Sequence, residues 1–250
     1  MNKAQNIYDN ETFFQGYKEL RSKLDNANTR EEKPALFSLL PSMNGLTVLD
    51  LGCGFGENCE SFSKMGAERV VGIDISEKML EVAQKEHPYA TYLRGDMNDL
   101  SPIMENESLP KNYDLVVSSL AVHYIKNIRK LAKQVFSLLK PGGCFLFSQE
   151  HPLTTAPLNG VSWEKDGDTA ICYKLSDYGR IGERKVTWFV NGVVKYHRTF
   201  SELFASLTEA GFTVTAMLEP LPTESDVENS PKLAKNLHKP NFLLIKAVKP

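Results

Sequence analysis

The sequence is thin in the features that would mark a secreted, membrane-embedded, metal-holding or nucleic-acid-coating chain. Its four cysteines, Cys53, Cys59, Cys144 and Cys172, are scattered and form no C-x-x-C pair. Neither a disulfide framework nor a zinc site is indicated, and the thiols read as reduced and mostly packed. No apolar run reaches membrane-spanning length, and the polar start Met1-Asn2-Lys3-Ala4-Gln5-Asn6 leads into no apolar signal core. The expectation is a cytoplasmic protein with no membrane partner. Positive charge is not in excess either: 29 basic against 31 acidic side chains leave a net charge of −2, which disfavours nucleic acid as a partner. The histidines His87, His123, His151, His197 and His238 lack the i, i+4 pairing of a metal site, so none is expected. Internal repeats and low-complexity segments are absent.

What is present suffices for one main core, since 250 residues are 42% hydrophobic. The opening stretch to about Asn44 reads as helical, with Phe13, Phe14, Tyr17, Leu20 and Leu24 on one face, punctuated by Pro34 and Pro41. Residues 1–45 are therefore expected to form a helical cap before a main domain of residues 46–250. From Leu46 onward, short apolar runs alternate with amphipathic segments, as in a parallel sheet covered by helices. Strands are expected at Thr47–Leu51, Val70–Ile73, around Tyr92 and Leu93, at Tyr113–Val117 and at Cys144–Ser148. Helices are expected at Gly56–Lys64, at Ser76–Glu86 with Ser76 as cap and Met79, Leu80 and Ala83 inward, and at Ile128–Leu139, stopping before the turn signal Lys140-Pro141-Gly142-Gly143. This pattern predicts an α/β fold with a doubly wound sheet and a ligand at the carboxyl ends of its strands.

Residues 151–199 break the rhythm. Lys185–Val190 and Val193–His197 flank Asn191-Gly192, a strong two-residue hairpin signal, and an insertion here would lie above the strand ends as a lid over a substrate. A helix Ser201–Ala210 ended by Gly211, a strand near Val214 and a last strand Phe242–Val248 complete the chain.

The most informative run is Val48-Leu49-Asp50-Leu51-Gly52-Cys53-Gly54-Phe55-Gly56. Glycines after a strand let the backbone approach a ligand closely and adopt torsions that side chains forbid. A dinucleotide site wants Gly-x-Gly-x-x-Gly, but Glu57 follows Gly56, so the third glycine is out of that register. Carboxylates at the mouth of the loop, Asp50 and Glu57, would repel a pyrophosphate and attract an ammonium or a sulfonium. The plainer alternative is that Asp50 caps a turn.

These residues resemble the first motif of class I S-adenosylmethionine-dependent methyltransferases, in particular the type 11-like methyltransferase domain. The likeness continues at Val71-Gly72-Ile73-Asp74-Ile75-Ser76, Gly95-Asp96-Met97, Tyr113–Tyr124 and Leu138–Gly143, and covers about residues 46–150. It implies a Rossmann-like seven-stranded sheet with a reversed final hairpin, here with an inserted β-hairpin lid after the fifth strand. It implies S-adenosylmethionine as cofactor and S-adenosylhomocysteine as product. Asp74 would accept the ribose hydroxyls, Asp96 the adenine amino group, and Met97 would pack near the ring; Ser119, Leu120 and Ala121 would line the methionine part. Asp50, Gly52, Cys53, Gly54, Ile75 and Met79 complete the implied cofactor set. Tyr8, Tyr17 and Arg21 would fold over it from the N-terminal helix. Where the family's nucleobase amino methylases carry Asn/Asp-Pro-Pro-Tyr/Phe, this chain has Ser118-Ser119-Leu120-Ala121, which argues against nucleobase amino groups.

Methyl transfer from a sulfonium is an in-line displacement, so positioning is the main task and contributes about 7 to 11 kcal/mol in favourable cases. A base is needed only for a protonated acceptor. The candidates are His151 first, then His123 and His197, with Glu150 and Tyr196 nearby; His123 reads equally as packing at a helix start. The expected activity is methyl transfer to oxygen, nitrogen or activated carbon of a small-molecule acceptor. Two alternatives keep the fold: aminopropyl transfer, against which Asp50 argues, and a non-catalytic cofactor-binding module.

Overall fold

Val48 and Leu49, Val70 and Val71, Leu115 and Val116 are adjacent pairs in which both residues are buried, as expected of strands covered on both faces. The computed structural model describes residues 5–23, 26–160 and 163–250. The chain runs through α1 (Glu11–Ser22), a π-helical turn (Asn28–Glu32), α2 (Lys33–Ser38), β1 (Thr47–Leu51), α3 (Glu57–Lys64), β2 (Arg69–Asp74), α4 (Glu77–Glu86), β3 (Thr91–Arg94), α5 (Ser101–Glu105), β4 (Tyr113–Ser118), α6 (Ile128–Leu138) and β5 (Leu139–Glu150). It continues through α7 (Pro152–Thr155), β6 (Trp163–Asp166), β7 (Thr169–Tyr173), β8 (Gly182–Trp188), β9 (Val190–His197), α8 (Phe200–Thr208), β10 (Thr213–Leu218), α9 (Glu224–Asn229), α10 (Lys235–His238) and β11 (Phe242–Val248).

Seven strands form one sheet in the order β10-β11-β5-β4-β1-β2-β3. Neighbours from β5 to β3 are parallel, whereas β11 is antiparallel to both β5 and β10. Leu49, Leu51, Val116 and Phe145 pack with Leu131 and Val135 of α6 and Leu203 and Leu207 of α8. Val48, Val70, Leu115 and Leu146 pack with Leu36 of α2, Phe62 of α3 and Leu80 of α4. The period-two alternation of each strand thus feeds two apolar layers. Helix starts follow their caps: the hydroxyl of Ser76 accepts the Met79 amide at 3.1 Å, and the Asn127 side chain accepts the Lys130 amide at 2.9 Å. No helix among the described residues is long and apolar enough to cross a membrane.

Three expectations need correction. The opening helix does not run to Asn44: α1 ends at Ser22, and Pro34 lies in the first turn of α2, where its missing N–H costs nothing. Leu24, expected on its apolar face, lies outside the described residues. The signal Lys140–Gly143 does not separate helix from strand but bulges within β5, whose pairing with β4 jumps from Tyr113↔Leu139 to Leu115↔Cys144. Gly142, at φ +79°, donates its N–H to Lys249 O at 2.8 Å, so the bulge is tied to the chain's last residues. The hairpin β8–β9 does not turn at Asn191-Gly192. Trp188 pairs with Val190 around Phe189, which has φ +57°, and Asn191-Gly192 falls inside the bulged arm. The reason is tertiary: the rings of Trp188 and Phe189 meet Phe13 edge-on at centroid distances of 5.2 and 5.4 Å, each such contact being worth about 1 kcal/mol. A second hairpin, β6–β7, also emerges from the insertion, turning at Gly167-Asp168.

Candidate active site

β1 and β4 are sheet neighbours whose onward connections lead in opposite directions, to β2 and to β5, and a crevice opens outside their carboxyl ends. A first cavity of about 570 Å³ lies there. Its walls are Gly52 and Gly54 after β1, Asp74 at the end of β2 and Ile75 just past it, Gly95, Asp96 and Met97 after β3, and Ser119, Leu120 and Ala121 after β4. Met79 from α4 and Tyr8 and Tyr17 from the N-terminal segment close it, with Glu183, Val194 and Tyr196 reaching in from the hairpin.

The glycines have separate reasons. A Cβ on Gly52, at φ +74°, would stand 2.6 Å from the Ala121 Cβ, so the loops after β1 and β4 interlock only because Gly52 has no side chain. At Gly54, φ +53°, a Cβ would meet nothing within 4 Å, and its backbone is open to the cavity. The Asp74 carboxylate braces this loop by accepting the Gly54 and Ser76 amides, each at 2.9 Å. Burial raises the Asp74 pKa, and those backbone N–H groups counter the rise. Asp96 accepts the Asn98 backbone and side-chain N–H groups on one oxygen, at 2.8 and 2.9 Å.

Three of the cofactor residues expected from sequence lie elsewhere. Asp50 is not at the loop mouth: it is 1% exposed, beneath the loop, with one oxygen 3.4 Å from the Cys59 thiol and the other without a partner. Burial pushes its carboxyl up to about 7. The strand's alternation explains the misplacement, because the residue preceding Leu51 points into the sheet's covered face rather than along the strand axis. Cys53 is buried and, with Arg21, borders a smaller cleft beside Glu57 and Asn28 instead of the first cavity. Arg21 pairs there with Glu57 and with Asn28.

A second cavity, of about 760 Å³, adjoins the first under the hairpin. Tyr8, Tyr17, Leu120 and Tyr124 line both. The rest of its wall comes from Arg21, His123, Glu150, Thr154 and Thr155, and from Arg184, Lys185, Trp188 and Lys195 of the hairpin. The two cavities differ in charge: among the described residues, Asp74, Asp96 and Glu183 face the single cation Lys126 in the first, whereas Arg21, Arg184, Lys185 and Lys195 face the single carboxylate Glu150 in the second. The Lys195 ammonium is 2.5 Å from Glu150 and lies over the rings of Trp188 and Tyr124, at 5.1 and 6.0 Å. Against the upward push of burial, Lys195, with Lys239 behind it, holds the Glu150 carboxyl below its ordinary range. Burial pushes the phenols of Tyr8, Tyr17 and Tyr124 up, so they stay protonated at neutral pH.

Of the three histidines expected near the reaction centre, the fold brings only His123 to a cavity. Its Nδ1 accepts the Glu150 amide at 3.4 Å, and burial lowers its pKa to about 4. It is therefore a neutral ring with the proton on Nε2, a donor and not a base. His151 is 1% exposed and lines neither cavity; Nδ1 caps α7 by accepting the Leu153 amide, and Nε2 meets Glu219 at 2.7 Å. His197 is equally enclosed, its ring nitrogens bonded to the Thr155 hydroxyl and to Tyr178 O, both at 2.9 Å. Burial lowers the pKa of both. Sequence reasoning missed Trp188, Lys195 and Arg184 as wall residues. The alternation along β9 carried part of the signal, since Val194 and Tyr196 face the first cavity and Lys195, between them, the second.

An open parallel sheet with one reversed strand and an acidic, glycine-lined crevice at its switch point defines a nucleoside-binding α/β protein that favours a cationic ligand. The profile of the methyltransferase domain family matches residues 49–147. A crystal structure of an S-adenosylmethionine-dependent methyltransferase from Mesorhizobium loti is 37% identical, covers 90% of this chain and 99% of its own, and superposes with a TM-score of 0.79. A Haemophilus influenzae protein with no assigned activity is 37% identical over all of this chain and 99% of its own length. A malonyl-[acyl-carrier protein] O-methyltransferase from Halalkalibacterium halodurans is 30% identical over 64% of this chain, which spans only 56% of that relative. The chain belongs to the S-adenosylmethionine-dependent methyltransferases.

Proposed function

We propose that the first cavity holds S-adenosylmethionine, that the second holds a small-molecule acceptor, and that the methyl group passes between them beside Leu120 and Tyr124. The observation that carries this reading is the common wall: Tyr8, Tyr17, Leu120 and Tyr124 line both spaces. The bound donor supplies an electrophilic methyl carbon on a sulfonium. The residues present fit it: the first cavity is acidic, the Gly54 backbone is open, and each Asp74 oxygen, holding one backbone N–H, keeps a lone pair for a ribose hydroxyl. Asp96 and Met97 take the adenine end, Ile75 and Met79 its flank, and Ser119 and Leu120 the methionine end.

On the acceptor side the chain's part is to orient and to exclude water. His123 and Lys195 donate into the second cavity, Tyr124 stays a neutral phenol, and the hairpin, latched to α1 through Phe13, covers the space. None of these groups is a free base at neutral pH. The reading therefore favours an acceptor that presents its own lone pair, and the O-methyltransferase relative makes oxygen the favoured atom. Residues 1–45 act as the cap that supplies Tyr8 and Tyr17 to both walls.

The test is calorimetric titration with S-adenosylhomocysteine, then incubation with isotopically methyl-labelled S-adenosylmethionine and panels of carboxylates, phenols and amines, read by mass spectrometry. Binding plus gain of one labelled methyl group is expected. Absence of binding, or transfer of an aminopropyl group when decarboxylated S-adenosylmethionine is supplied in its place, would refute the reading.

A further inference from the structure

Leu120 stands where three spaces meet, lining the first cavity, the second and the small cleft beside Arg21. It also has φ +51°, a left-handed conformation that a branched side chain adopts only when its surroundings impose it. A hydrogen-bond chain from a distant part of the sequence ends on its amide. The Leu120 amide is shared between the Ser148 hydroxyl at 2.9 Å and the Ser148 carbonyl oxygen at 3.2 Å, and the Ser148 hydroxyl donates to Glu32 Oε1 at 2.5 Å. The Ser119 hydroxyl reaches the same oxygen at 2.9 Å. The other Glu32 oxygen accepts Asn28 Nδ2 at 2.6 Å, and Asn28 is bonded to Arg21.

Glu32 is 0% exposed, it makes no direct ion pair among the described residues, and burial raises its pKa. It lies in the π-helical turn Asn28–Glu32, an irregularity frequent at functional sites. A carboxylate held wholly by neutral donors is costly to bury, and stability alone gives no reason to keep it. Its hydrogen bonds converge on the two residues at the end of β4 that border the donor cavity, whose successor Ala121 is keyed against Gly52. Resting on the reading of the first cavity as the donor site, we propose that Glu32 is a positioning residue. Through the hydroxyls of Ser119 and Ser148 it holds Leu120 left-handed and so sets the wall common to donor and acceptor.

Calorimetric titration of the full chain with S-adenosylhomocysteine tests this without an acceptor. Ser148→Ala removes the relay and is expected to weaken binding on the order of tenfold, the worth of one buried hydrogen bond. Ser148→Thr, which keeps a hydroxyl between the Leu120 amide and Glu32, is expected to hold affinity within about threefold of the unaltered chain. Glu32→Gln should weaken binding in the same direction as Ser148→Ala, and combining the two should add little, because both act through one chain of bonds. A merely structural role would lower the melting temperatures of Ser148→Ala and Glu32→Gln and leave their affinity for S-adenosylhomocysteine unchanged. That outcome, or additive losses in the double variant, would overturn the role of Glu32 alone. Failure of the unaltered chain to bind would overturn the donor-site reading itself.

Discussion

The two cavities share a wall and are built on opposite plans. The first is made of loops that leave successive parallel strands, and what it offers is mostly backbone and carboxylate: Gly52, Gly54, Asp74, Asp96. The second is made of side chains from distant segments, α1, the turn after α7 and the arms of β8–β9, and what it offers is aromatic surface and cationic groups. A site for one constant donor is fixed by the sheet, whereas a site for a particular acceptor is assembled from insertions that the sheet merely supports. β9 separates them, showing alternate residues to each side.

Perturbing each side in turn would break or sharpen this contrast. The largest effect is expected from Asp74→Ala, which removes two hydrogen bonds to a charged acceptor at about 2 kcal/mol each and should weaken S-adenosylhomocysteine binding on the order of a thousandfold by calorimetry. A loss under tenfold would remove the first cavity's main polar anchor from the account.

Asp50 should next reveal itself in stability. Its carboxyl titrates near 7 in the fold against an ordinary 3.8. Its favourable contribution is therefore complete below pH 3.8 and is lost as pH rises through about 7. Asp50→Asn escapes that loss, and at pH 8 it should unfold at higher denaturant by on the order of 4 kcal/mol, with the difference vanishing near pH 4. Equal pH dependence in the two proteins would place Asp50 in contact with solvent after all.

His123 behaves in the opposite sense. Its folded pKa of about 4 lies below the ordinary 6.5, so stability is unaffected above pH 6.5 and falls as pH drops from 6.5 toward 4. His123→Gln should flatten that acid limb, recovering about 3 kcal/mol at pH 4 in urea melts. For the same reason the rate of methyl transfer should show no His123 inflection between about pH 5 and 8, and one there would restore His123 as a base.

The smallest change is expected from Trp188→Ala. It unlatches the hairpin from Phe13 and should reduce transfer to an acceptor about tenfold while leaving S-adenosylhomocysteine affinity within about threefold. Loss of both in parallel would merge the two cavities into one.

The same contrast explains what could be read from the residues. Strands β1 and β11 were legible to their end residues because a buried strand bounded by turn residues is a local pattern, and Ser76 announced its helix as a cap. Asp74, Asp96 and Leu120 fell on the first cavity because each lies at or just past a strand end. The hairpin turn was misplaced because Asn191-Gly192 is a good local turn that lost to the packing of Trp188 and Phe189 on Phe13. Gly167-Asp168 carried an equally valid turn signal and was overlooked. His151 and His197 were drawn by proximity in sequence to the strand ends, yet their partners, Glu219 and Tyr178, come from segments with no motif. Glu32 gave no local signal, because its meaning lies in Ser119 and Ser148, far along the chain.

The most direct test is an experimental structure with S-adenosylhomocysteine bound. The ribose is expected on Asp74, the adenine between Asp96 and Met97, and the sulfur beside Leu120 and Tyr124, facing the space bounded by His123 and Lys195. A nucleoside lodged in that second space, or a sulfur turned away from Leu120, would contradict this placement.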